Sequence, residues 1–392
     1  MKIKPDRFLY AWAIVLMALS SPATAQEEGV PVKNPWLLTI SSNYGKWSAS
    51  DVTSDGNQAL GLVQLSYSPG DWGAAVSGTY AKTSYKSATS ENRFDVSTLA
   101  DSDLSLFYMY KTGGLTLRGG LDARLPTGKH SFSTEQLATV MVDELNQELM
   151  LLNTYGGGLN IIPNLVAVFS VKPFTFGAGL RYELTGEYDP TTDTEGDNFN
   201  PGDRLLALVN GSFSFSDSDI VMLTLSYLNL TRDKQGGADV FRQGDTYSAD
   251  MKYFRAWGDM FTSILGVTYK TQAKNESLSS ESFLLSEASN SNNNILDIYA
   301  NGTYRYSKEI AIQGVVGVKF VGANGYLEDD PLYDAGLDKI YVEPGVTWYF
   351  TESAYVSGKI RYSRIKNKKD ALSEADAVYS LYNADVSFVY GF

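Results

Sequence analysis

The chain has 392 residues, a formal charge of −13 and no cysteine. Its acidity disfavours a nucleic-acid partner, and the lack of thiols excludes a disulfide framework and cysteine chemistry. One histidine, His130, excludes histidine-rich metal sites and leaves a single place for any histidine-based catalysis.

The N-terminus reads in three parts. Lys2, Lys4 and Arg7 make a positive start, Phe8 to Leu19 an apolar run, and Ala23-Thr24-Ala25 a small-x-small ending before Gln26. This is the layout of a secretory signal that is removed after export. The apolar run is too short for a spanning helix, which needs about 20 residues. Residues 1–25 are set apart on this ground, residues 26–35 read as a short extension, and residues 36–392 carry the fold.

From Trp36 onward, apolar residues recur with period two. The pattern predicts an all-β chain of about sixteen strands, with fourteen as the alternative count. In chain order they cover 36–48, 59–68, 73–85, 102–111, 115–125, 161–172, 174–188 and 204–216. The second half covers 219–231, 246–257, 260–273, 294–306, 309–322, 338–350, 353–366 and 378–392. Connectors alternate between short turns such as Pro69-Gly70-Asp71, Lys172-Pro173 and Gly258-Asp259 and long loops near 86–101, 126–160, 189–203 and 274–293. That asymmetry, with an even strand number, predicts a closed antiparallel transmembrane barrel. A soluble β-sandwich alternates too, but so many strands with aromatics at their ends favour the barrel.

The two faces of each strand differ in kind. Residues 174–188 place Phe176, Ala178, Leu180 and Tyr182 on one side and Gly177, Gly179, Arg181 and Glu183 on the other. Residues 353–366 place Val356, Ile360 and Tyr362 opposite Ser357, Lys359 and Arg361. An Arg or Lys facing lipid at mid-bilayer costs about 2–4 kcal/mol, so these cations are expected to face a polar lumen.

The last strand sets Val386, Phe388, Tyr390 and Phe392 on one face. This ending resembles the closing strand of Gram-negative outer-membrane barrels, in which a terminal aromatic residue is the assembly signal. The resemblance implies location in the bacterial outer membrane among its lipid and lipopolysaccharide. It also implies recognition of Tyr390 and Phe392 by the barrel assembly machinery.

The longest connector, 126–160, is the third long loop. Ser133 is suited to an N-cap, and Leu137, Val140, Met141, Leu145 and Leu149 follow at three- and four-residue spacings. The spacing predicts a helix over 133–152, with Gly156-Gly157-Gly158 as a flexible return. In position this loop resembles the third outer loop of sixteen-stranded general porins, which folds inward and narrows the pore. Its apolar stripe needs burial, and the barrel mouth is nearest; a lid outside the mouth, or packing on a neighbouring subunit, is the other arrangement.

Before that loop, Leu125-Pro126-Thr127-Gly128-Lys129 leaves a strand. This exit resembles that of putative outer-membrane channels of the phenol meta-degradation family, which the resemblance links to uptake of aromatic or hydrophobic compounds.

The expected function is passive uptake of small solutes, anionic or aromatic ones among them, by a porin-like channel. The expected pore-lining residues on the wall are Arg118, Asp122, Arg124, Arg181 and Glu183, with Lys270, Arg305, Lys319, Lys359 and Arg361. On the loop they are Asp143 and Glu144, with Glu135 and Glu148 as further acids that meet the wall cations. Opposed charges across a constriction screen solutes by polarity. Two other readings stay open: a gated channel for hydrophobic compounds, and an adhesin or structural barrel with a blocked lumen. The partners expected are small-molecule solutes and the membrane; a homotrimer and a monomer are equally compatible with alternation.

No enzyme, cofactor or metal is expected. His130 lies beyond a strand exit with no orienting partner in sequence, so it reads as a solvated loop residue rather than a catalytic base. The acids in 189–197 and at Glu328-Asp329-Asp330 and Asp334 lack the calcium-loop spacing and read as solvated.

Overall fold

The computed structural model describes residues 34–50, 54–86, 93–137, 144–152, 154–192, 198–279, 283–369 and 375–392. The expected secretory signal, 1–25, and most of the expected extension, 26–35, lie outside the described residues.

Sixteen wall positions form one antiparallel sheet that closes on itself. They are β1 (Trp36–Ala49), β2 (Asp55–Tyr67), β3 (Trp72–Lys86), β4 (Arg93–Leu99 continued by Ser102–Thr112) and β5 (Leu115–Leu125). β6 (Asn160–Val171), β7 (Phe174–Glu183), β8 (Arg204–Ser214), β9 (Asp219–Leu230), β10 (Thr246–Trp257) and β11 (Phe261–Gln272) follow. The wall ends with β12 (Ile295–Arg305), β13 (Ile310–Val321), β14 (Leu337–Thr351), β15 (Ala354–Asn367) and β16 (Ala377–Gly391). Closure is made by β1 and β16, paired from Leu37↔Gly391 to Ala49↔Tyr379. Every strand is thus bonded on both sides, which removes the free edges that an open sheet would expose in lipid.

Each predicted strand matches a wall position, and the differences are local. β2 begins earlier and β7 ends earlier than alternation suggests. The predicted loop 86–101 holds the first half of β4, which pairs with β3 from Tyr80↔Leu99 to Lys86↔Arg93. Beyond it, Ser77 pairs with Asp103, so four residues of β4 oppose three of β3. The extra residue makes a bulge at Ala100-Asp101 that breaks the alternation and hid this segment. The long loops also carry structure of their own. Phe199–Asn200, Asp233–Gln235, Ala238–Arg242, Glu276–Leu278 and Leu284–Ser286 form a five-stranded sheet at the long-loop end.

The outer surface is apolar. Leu106, Leu180, Leu265, Val316, Ile360 and Val386 all point outward and stay more than half exposed. Aromatic rings gather towards the short-turn end. Trp36 stacks on Phe392, Phe392 on Tyr390, and Phe174 and Phe213 approach at 5.0 Å. Such a belt suits the membrane–water interface, where one side of the ring meets tails and the other water. The chain is a transmembrane barrel with its greasy side turned out.

The inward faces are not uniformly polar. At the long-loop end Trp47, Val321, Leu337, Ile365, Tyr379 and Leu381 form a buried cluster together with Leu149 of the third long loop. Ala81 and Val96 form another with Phe132 and Tyr155 of the same loop. These inward apolar residues mark where the loop enters the barrel.

Candidate functional site

The third long loop is held inside the mouth at several points. Its helix α1 covers Glu144–Leu149, and residues 138–143 of the predicted 133–152 lie outside the described residues. Residues 134–137 form only a turn, in which the amides of Gln136 and Leu137 donate to the Ser133 carbonyl. After α1 the wall takes over the backbone: Gln58 on β2 accepts from the Leu152 amide at 2.6 Å and donates to its carbonyl at 2.9 Å. A main chain bonded to a side chain in this way has no amide or carbonyl left for another helical turn.

The return is not flexible either. Asp101, at the β4 bulge, accepts from the Gly128 amide at 2.9 Å with Oδ1 and from the Gly157 amide at 2.8 Å with Oδ2. One carboxylate thus ties the departing arm of the loop to the returning arm. At Gly158 the backbone lies against Gly186 so closely that a Cβ would collide with main chain. The glycine run is there for close approach. Tyr155 accepts from Gln58 and bonds to Thr83, and burial pushes its hydroxyl up to about 12, so it stays protonated.

Beneath α1 lies a cavity of about 380 Å³ facing β12–β16 and β1. Gln147, Glu148, Met150 and Leu151 form its loop side. Alternation along the wall supplies the charges: Asp297 from β12, Lys319 from β13, Lys339 and Glu343 from β14, Lys359 and Arg361 from β15, and Asp385 from β16. Glu148 bridges two strands. Its Oε1 accepts from Lys319 at 2.5 Å and its Oε2 from Lys339 at 2.7 Å. Burial alone would raise the Glu148 carboxyl, but Lys339 and Lys319 outweigh it and hold the group below its usual range.

Deeper in the cavity, Arg361 Nε donates to Glu343 at 2.7 Å and its guanidinium lies 5.0 Å from the Tyr341 ring centre. Lys359 stands 3.6 Å from Glu343 and 3.7 Å from Asp385, which also accepts from Asn43. Tyr341 lies flat across Gly317, where any side chain would strike its ring, and donates to Asp297 at 3.1 Å.

A second charged group sits on β4–β7, on the other side of the strand ring. Arg124 bonds Asp103 at 3.2 Å and approaches Glu183 at 3.6 Å. Arg181 is 3.7 Å from Glu183, which also accepts from Asn160 at 2.9 Å. Asp122 accepts from Ser105 at 2.6 Å and Asn164 at 3.0 Å, while buried Arg118 bonds Asn164 at 3.1 Å and lies 4.5 Å from the Phe107 ring centre.

The wall residues expected from sequence therefore divide. Arg118, Asp122, Arg124, Arg181 and Glu183 come together on β4–β7. Lys319, Lys359 and Arg361 come together at the cavity. Lys270 and Arg305 join neither group: Lys270 opposes Ser248 and Ile295 near the long-loop end, and Arg305 opposes Ala311 at the short-turn end. Asp143 lies outside the described residues, as do Val140 and Met141; Glu144 is the first described residue of α1. Lys339 was missed, although alternation through Lys339, Tyr341 and Glu343 on β14 carries the signal.

His130 packs edge-on against Tyr188 with ring centres 6.3 Å apart. Asp330 and Asp334 accept from amides of their own loop, at Leu332 and Gly336. Among the described residues no three acidic or histidine side chains converge as a metal site. The acidic stretch 193–197 lies outside the described residues.

These features define a membrane-spanning β-barrel whose third long loop is folded into its mouth. No family model matches the chain, and no curated protein matches it in sequence. Among solved structures it is similar to a TodX monoaromatic hydrocarbon channel mutant, with 11% identity and a TM-score of 0.47 over 93% of this chain and 91% of that one. It is also similar to a bacterial polysaccharide outer membrane secretin, with 9% identity and a TM-score of 0.48 over 92% and 99%. The COG4313 outer membrane channel from Pseudomonas putida F1 shares 10% identity at a TM-score of 0.43 over 95% and 100%. Likeness at this level carries no inference about solute or mechanism.

Proposed function

We infer that the chain is a channel of the bacterial outer membrane that passes small polar or charged solutes passively. One observation carries this reading: the barrel is apolar outside, while its interior holds charged side chains around a cavity beneath the inserted loop. Four acids, Glu148, Asp297, Glu343 and Asp385, and four bases, Lys319, Lys339, Lys359 and Arg361, line that cavity. The balance supports a filter of mixed sign, which screens by polarity and orientation, over a simple anion pore. The β4–β7 group supplies a second set of fixed charges. On this reading the pore-lining residues act electrostatically, and no covalent step is involved.

Planar-bilayer recording of the purified protein is the test. Discrete conductance with an ion-dependent reversal potential is expected. Silence in a correctly folded preparation would overturn the reading in favour of a sealed adhesive or structural barrel.

A gated route for hydrophobic compounds draws on one observation of its own. Ile220, Met222 and Phe254, with Ala256 and Ile264, form an apolar patch on the inward faces of β9–β11. Uptake of an uncharged aromatic solute by proteoliposomes that show no ionic conductance would favour it.

A further inference from the structure

The Lys319–Lys339 pair is unusual in its placing. The two residues are direct cross-strand partners on β13 and β14, and both face inward. Like charges at opposed positions destabilise a sheet, and Lys339 is almost fully buried. What neutralises them comes from the loop and not from the wall. Each Glu148 oxygen takes one ammonium, at 2.5 and 2.7 Å, so the carboxylate spans both strands. Asp297, the nearest wall acid to Lys319 in register, is bonded to Tyr341 instead. Without Glu148 the cavity lining would hold four bases against three acids.

We propose that the two lysines form a carboxylate-binding site, that Glu148 occupies it as a tethered substitute, and that an entering monocarboxylate displaces Glu148 and frees α1. This rests on the reading of the barrel as a solute channel and names the solute class its cavity takes. The geometry selects the class. In the Glu148 contact each carboxylate oxygen takes one ammonium, at 2.5 and 2.7 Å, a two-point charge-assisted match that a monatomic anion does not offer. A cavity of about 380 Å³ beside the pair has room for a small organic acid. Displacement is a competition with a tethered group; a short flexible link alone would set an effective concentration on the order of millimolar, and buried Leu149 and the Gln58–Leu152 bonds hold Glu148 more firmly than that. The solute must reach at least that level, so the loop responds to abundance and ignores traces.

Release of α1 is read without any conduction. The chain has no cysteine, so a Leu149→Cys variant carries one thiol, in a position buried against Trp47 and Leu381. The folded variant in detergent is labelled with a maleimide while sodium acetate replaces sodium chloride at fixed ionic strength. Labelling is expected to accelerate at least fivefold in acetate. Adding Glu148→Gln should give fast labelling in both salts, and adding Lys339→Met should abolish the acetate effect. Equal rates in the two salts, or slow labelling with Glu148→Gln, would overturn the proposal. If Leu149→Cys does not fold, Met150→Cys, also buried, reports the same movement. Bilayer recording separates the two readings: conductance without an acetate response sinks the carboxylate site alone, and an acetate response in a silent barrel sinks the channel alone.

Discussion

The two charged groups inside the barrel use the same residue types and differ in how they are completed. On β4–β7, every bonded partner of Arg124, Arg181 and Glu183 among the described residues belongs to the wall. At β12–β16, two wall lysines are neutralised by Glu148 of the loop. Among the described residues, then, the first group is completed without the loop. The second changes its net charge by one unit when α1 leaves, and Lys319 and buried Lys339 then lose their counter-ion. A wall that satisfies itself makes a static filter; a wall completed by a loop makes one that responds.

Removing the loop gives the largest expected contrast. Deletion of residues 133–152 should raise single-channel conductance severalfold and make the cavity net basic, so that the reversal potential moves towards anion selectivity. Unchanged conductance in a folded deletion variant would show that the loop does not narrow the passage. Next comes Glu148→Gln, which leaves buried Lys339 and half-buried Lys319 without a charged partner. Breaking a buried pair from one side costs about 3–5 kcal/mol, enough to undock α1 in most molecules, and conductance should rise without any deletion.

Acid should act on the same contact. The Glu148 carboxyl is held below its ordinary value of 4.5 in the docked state. A depressed pKa means that docking is fully stabilised above the ordinary value and weakens as pH falls through the docked-state value. Conductance should stay flat from about pH 8 to pH 5 and rise only in stronger acid. Asp297, Glu343 and Asp385 face the same space beside Lys319, Lys339, Lys359 and Arg361. The step assigned to Glu148 is the part missing from a Glu148→Gln titration.

Asp101→Asn should have a smaller effect. It keeps one acceptor for Gly128 or Gly157 and loses the other, together with the charge, for about 1.5–3 kcal/mol. Hydrogen exchange at the two glycine amides would report the loosened loop arms. The smallest effect belongs to the self-completed group. Arg124 is more than a third exposed, so its pairs contribute only about 0–1 kcal/mol after screening. Arg124→Ala should move the reversal potential towards cations while leaving α1 docked; released loop labelling in this variant would erase the contrast between the two groups.

Much of this architecture is legible along the chain. Period-two alternation places each of the sixteen wall strands, and it sets Arg118, Asp122, Arg181, Lys319 and Arg361 on inward faces. It fails at the β4 bulge, where one extra residue between Leu99 and Asp103 puts the pattern out of phase. It fails again at Gly156-Gly157-Gly158, which reads as a flexible tether and is in fact held by Asp101 and pressed against Gly186. Glycine has the same signature for freedom and for close approach, and only the neighbour tells them apart.

Local order determined the barrel, because whether a side chain meets lipid or lumen depends on its parity within one strand, and parity is written in consecutive residues. Which charges meet was decided by the tertiary structure alone. Glu148 reaches Lys319 and Lys339 from 171 and 191 residues away. That contact depends on strand register and on where a long loop is pinned, both of which are set by closure of the whole ring.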